Sequence, residues 1–94
     1  MNIFFTEYLQ YRAKMRGFNL KLLEEILRYS SECYLDTETG RLIVVGKHGN
    51  ELVMIPFEIK DKTIVPITVH ATTRQQIKFR LQTGRLIYEP TPLF

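Results

Sequence analysis

The sequence predicts an α+β fold: two N-terminal helices packed on a four-stranded antiparallel meander, followed by a short basic C-terminal helix. Three observations predict it. Apolar residues recur at spacings of three and four over the first third of the chain. The middle is rich in β-branched and aromatic residues broken by tight polar turns. Residues 73–83 combine a capping signal with good helix formers. A length of 94 residues, 45% hydrophobic and 24% charged, suits one domain over residues 1–94.

The first helix is expected over about 6–16, with Thr6 as cap, Glu7 favourably placed against the dipole and Gly17 as the stop. Tyr8, Tyr11 and Met15 share one face of it, with Phe5 and Leu9 close by, while Arg12 and Arg16 project together from another side. The second helix is expected over about 20–30, capped by Asn19. Lys21, Glu24, Glu25 and Arg28 form its solvated side, and Leu20, Leu23, Ile26 and Leu27 its apolar side.

Four strands follow, at about 32–36, 41–47, 51–59 and 63–70. The turns DTETG at 36–40, HGNE at 48–51 and KDK at 60–62 join them as hairpins. RLIVVGK at 41–47 is apolar on both faces and suits a strand covered on both sides. Pro56 and Pro66 each remove a ladder donor and belong at bulges or edges. Simple alternation in the last strand sends Ile64, Pro66, Thr68 and His70 to one face and Val65, Ile67 and Val69 to the other.

Ile77, Phe79 and Leu81 alternate with Lys78 and Arg80 as in a strand, yet Thr73 and Gln76 match a capping box, which favours a helix over about 73–83. The segment 85–88 is apolar enough to add a short strand or to dock on the sheet. The tail 89–94, with two prolines, reads as extended.

One cysteine, Cys33, forms no internal disulfide and reads as a buried inert thiol, which suits a reducing cytoplasm. Apolar runs of four or five residues are far short of a membrane span, so no membrane partner is expected. The two histidines stand 22 positions apart with a lone cysteine, so neither a metal site nor a cofactor is expected. Net charge is +3, and the cations gather late: the last 21 residues hold four, against one acid, Glu89.

Those cations, with the histidines, suggest one chemistry. Cleavage of RNA by its own 2′-hydroxyl needs a base, cations for the pentacovalent phosphate and an acid for the leaving oxygen. Histidine suits the proton transfers, and the planar arginine fork suits the phosphate. The catalytic candidates are His70, Arg74, Arg80 and Lys47; His48, Lys78, Arg85 and Tyr88 are candidates for substrate binding. Each has a plainer role open to it: His48 as a turn residue, His70 as a hydrogen-bonded strand end, the arginines as solvated helix charges, Tyr88 as core.

The segments LEEILRYSSE, DTETGRLIVVGKHGNELVMIPFEI and HATTRQQIKFR, spanning about 17–85, resemble the RelE/ParE superfamily of bacterial toxins, and BrnT-like toxins within it. The resemblance implies a cytoplasmic endoribonuclease, able to act at the ribosome, and a cognate antitoxin that covers its basic surface. It carries Lys47, His70, Arg74 and Arg80 by position. The chain departs from the pattern in having Gln where an acid usually follows the Ala-Thr pair, and in a longer first helix. Two other readings stand beside it: a binding module of the same fold acting through a protein partner, and a homodimer formed through a sheet edge or through Pro92, Leu93 and Phe94.

Overall fold

A computed structural model describes residues 1–90 of the chain. Its class is α+β, with three helices and seven strands in the order β1 (Asn2–Ile3), α1 (Glu7–Arg16), α2 (Leu20–Tyr29), β2 (Cys33–Asp36), β3 (Leu42–His48), β4 (Glu51–Lys60), β5 (Thr63–Pro66), β6 (His70–Ala71), α3 (Arg74–Gln82) and β7 (Leu86–Tyr88).

The helices begin and end on local chemistry. The Thr6 hydroxyl accepts the Leu9 N–H at 3.1 Å, and Gly17, at φ 76°, lets the Phe18 N–H turn back to the Ala13 carbonyl at 2.8 Å. The Asn19 side chain accepts from the Lys21 and Leu22 N–H groups. Thr73 caps α3 through the Gln76 N–H, but the Gln76 side chain accepts from the Thr72 hydroxyl, so the capping box is only half made. On α1 only Leu9 and Ala13 are buried; Tyr8, Tyr11 and Met15 face outward.

The sheet departs from the expected four-stranded antiparallel meander. It is seven-stranded and mixed, ordered β1-β5-β4-β3-β2-β7, with β6 also paired to β4. β1 runs parallel to β5, and β7 adds an antiparallel edge to β2. β1 has two residues and a partner 61 positions away, too little for periodicity to reveal.

Helices cover both faces. Leu9, Ala13, Leu23 and Leu27 pack with Val44, Val53, Ile55 and Phe57 on one side. Ile77 of α3 packs with Tyr34, Ile43, Val45, Met54 and Leu86 on the other. The expected last strand over 63–70 is split. Between the pairs Phe57↔Pro66 and Met54↔His70, β4 supplies residues 55 and 56 while the returning strand supplies 67, 68 and 69. That is three residues against two, a β-bulge.

Pro56 is its cause. Its carbonyl accepts the Ile67 N–H at 2.8 Å, so its missing donor lies on the same side, where a regular ladder would need it. The bulge shifts the alternation by one residue. Ile64 and Val69 are buried against the helix pair, whereas His70, opposite Met54, faces α3. The expected common face for Ile64 and His70 is therefore corrected.

Of the tail expected over 89–94, residues 91–94 lie outside the described residues, as does a dimer contact through Pro92, Leu93 and Phe94. Among the described residues no helix is long and apolar enough to cross a membrane.

Candidate functional site: a cationic cleft around His70

The bulge opens a cleft of about 510 Å³ between the sheet and α3. Ile43, Met54 and Pro56 line it from the sheet, Thr68 and His70 from the bulged segment, Gln76 and Arg80 from α3, and Arg85 and Asp36 from beyond.

Arg16 comes from the last turn of α1, in the helix pair on the opposite face. It reaches His70, where its Nη1 stands 2.8 Å from Nδ1 and also donates to the Val69 carbonyl. A guanidinium has only donors, so His70 Nδ1 accepts and the ring's own proton sits on Nε2. Burial lowers the His70 pKa below its ordinary value, and the positive charges of Arg16, Arg12 and Arg80 lower it further. The ring is a neutral imidazole at pH 7.

Pairing separates this cluster from the other arginines. Of seven arginines in the chain, four meet carboxylates: Arg28 with Glu24, Arg41 with Glu58, Arg74 with Glu32, and Arg85 with Asp36 and Glu38. The three whose charges act on His70 meet none among the described residues. Arg80 has only the Met54 sulfur at 3.7 Å. Arg12 lies over the Tyr8 ring, 5.7 Å from its centroid, and its buried Nε has no hydrogen-bond partner among the described residues. The same holds, among the described residues, for the Thr68 hydroxyl in the cleft wall.

The one acid in the cleft is committed elsewhere. Asp36 accepts from Arg85 at 3.0 and 3.3 Å and from the Glu38 and Thr39 N–H groups, and the Arg85 bonds hold its carboxyl below the ordinary range. Arg80 in the cleft wall and Arg12 and Arg16, whose charges act on His70, thus meet no free anion among the described residues, and a bound anion would relieve their repulsion.

The sequence candidates divide accordingly. His70, Arg80 and Arg85 line the cleft together. Arg74 is held at Glu32, whose other partner is the Tyr34 hydroxyl; burial and that hydrogen bond push Tyr34 up to about 12. Tyr88 is exposed and stands edge-on to Tyr34, with ring centroids 6.1 Å apart. Lys78 is exposed on α3 outside the cleft lining. Lys47 borders a separate groove along α2 with Leu22, Ile26 and Tyr29. His48 accepts the Asn19 N–H at 2.8 Å and sets its ring edge-on to Phe18, so it fastens the start of α2. Arg12 and Arg16 also act on His70, and the sequence does not single them out for chemistry. Their four-residue spacing was visible, but only the bulge and the fold bring that side of α1 to His70.

No protein-family model, no curated protein and no solved structure matches the chain.

Proposed function

We propose that the protein binds RNA in the His70 cleft and cleaves it without a metal, as the toxin of a bacterial toxin–antitoxin pair in the cytoplasm. The observation that carries this reading is the gathering of Arg12, Arg16 and Arg80, all without carboxylate partners, around a neutral His70. A phosphodiester matches that charge, and the guanidinium fork matches its oxygens.

In the free protein Arg16 occupies the Nδ1 lone pair. A phosphate gives Arg16 a stronger acceptor, and its departure frees Nδ1 as a base. Nδ1 then takes the proton of the 2′-hydroxyl, whose oxygen attacks the adjacent phosphorus. The P–O2′ bond forms, the P–O5′ bond breaks, and the proton passes from His70 to the leaving 5′-oxygen. The products are a 2′,3′-cyclic phosphate and a 5′-hydroxyl. Arg80 and Arg12 stabilise the charge of the pentacovalent state. An antitoxin with an acidic segment would fill the same cleft and silence it.

The test is cleavage of RNA by the purified protein in EDTA, with His70→Ala and Arg80→Ala beside it. Loss of about a hundredfold or more in either variant, with folding retained, is the expected result. Equal cleavage by all three proteins removes the proposed site.

A second reading is a non-enzymatic module of RelE/ParE type that holds a protein partner. The engaged lone pair of His70 favours it, because in the free protein no base is free in the cleft. Growth arrest on expression with cellular RNA intact would select it.

A further inference from the structure

Beside the cleft lies a shallow groove lined by Gln75, Gln76, Phe79, Arg80, Thr83 and Arg85. It shares Gln76, Arg80 and Arg85 with the cleft itself, so the two surfaces are continuous. Phe79 lines it, 64% exposed on a helix where Lys78 and Arg80 flank it in sequence.

An aromatic ring left in water costs free energy, and four others here have a ring or cation partner. Tyr34 and Tyr88 pack edge to face, Phe18 meets His48, and Tyr8 carries the Arg12 guanidinium. Phe79 has no ring or cation partner among the described residues. Around it stand amides and a hydroxyl able to donate and accept, with cations on the cleft side. A flat apolar face with polar groups at its margin, next to an anion site, matches one ligand fragment: a nucleobase whose phosphate sits in the cleft.

We infer that Phe79 is the base-stacking subsite for single-stranded RNA, with the adjoining phosphate held by Arg80. This rests on the anion-binding half of the function proposed above and is independent of whether the RNA is cut. Duplex RNA is excluded, because a base stacked in its helix cannot lay its face on Phe79. The groove is open and one-sided, so recognition is by stacking first, and the amides of Gln75 and Gln76 supply any preference among bases.

The experiment is fluorescence anisotropy with a labelled 2′-O-methyl oligonucleotide, which has no nucleophile and stays intact, against an abasic backbone of equal length and charge. The intact protein should bind the base-bearing strand more tightly. Phe79→Ala should weaken that binding about tenfold, the effect of one base–aromatic stack, and leave the abasic strand unchanged; Phe79→Tyr should restore it. Equal affinity of the intact protein and Phe79→Ala for the base-bearing strand overturns the subsite, as does equal weakening on both strands, which is what a protein-docking or structural role for Phe79 would give. A mononucleotide that competes as well as the strand would also overturn it, by making a free nucleotide the ligand. The full pattern in a protein that fails to cut the corresponding RNA leaves the subsite standing and sinks only the nuclease.

Discussion

At His70 the deciding quantity is the free energy of one proton. Burial and three guanidinium groups all disfavour the imidazolium, so the ring titrates below 6.5. The unfolded chain takes up that proton first. Stability is therefore full above about pH 6.5 and declines as pH falls from there towards the lower folded value. We expect the His70 ring signal in an NMR titration to have its midpoint below 6.5, and to move upward in Arg16→Gln, which removes a charge but leaves the burial. No movement would mean that Arg16 does not act on the ring. Asp36 has the same sense at lower pH. Arg85 holds its carboxyl low, so the pair stabilises the fold above the ordinary carboxylate range and ceases to do so as pH falls through the folded value. Arg85→Ala leaves the Asp36 carboxylate, 7% exposed, with only backbone donors, and chemical denaturation should show a lower stability at pH 7 than for the intact protein. Residue chemistry was legible for His70, Arg80 and Arg85 because all three fall in one short segment. It was illegible for Arg16, whose target is 54 positions away.

At the level of elements, caps and turns told most. Thr6, Asn19 and Thr73 mark the helix starts, and the turn at Asp61 and Lys62 takes the positive φ that a two-residue hairpin requires. Pro56 predicts a bulge or an edge, and the bulge lies on the strand opposite, because a missing donor disturbs its partner as much as itself. The face on which His70 emerges depends on that one extra residue. Deleting Thr68 should restore plain alternation and turn the His70 ring toward the helix pair; the deleted protein should lose oligonucleotide binding in anisotropy even if circular dichroism shows its helices kept. Gly46 marks another junction. A Cβ there would stand 2.7 Å from Ile26 Cγ2 and 2.9 Å from Cγ1, and a β-branched side chain has few ways to give. Gly46→Ala should cost about 1–3 kcal/mol in urea denaturation. Combined with Ile26→Ala it should cost at least about 1 kcal/mol less than the sum of the two single changes, since the clash is then gone.

Over the whole molecule, a net charge of +3 understates the asymmetry. Four of the seven arginines are neutralised where they stand, and the charges of the other three act on one residue, His70. Three guanidinium groups displacing counterions from single-stranded RNA should give a slope of about −2 when log affinity is plotted against log salt, near 0.7 per phosphate contact. A slope near zero would mean that charge is not what holds the strand. The mixed sheet and the placement of α3 across from the helix pair were not legible, because each depends on pairing between distant segments rather than on local pattern.

Arg16 has its backbone in one layer and its contacts in another. A binder that grips the outer surface of α1, where Tyr11 and Met15 project, would pull on a side chain anchored beyond the sheet. The protonation of an imidazole the binder never meets would then answer to that pull, and the two sides of this small protein would be in communication through a single flexible arm.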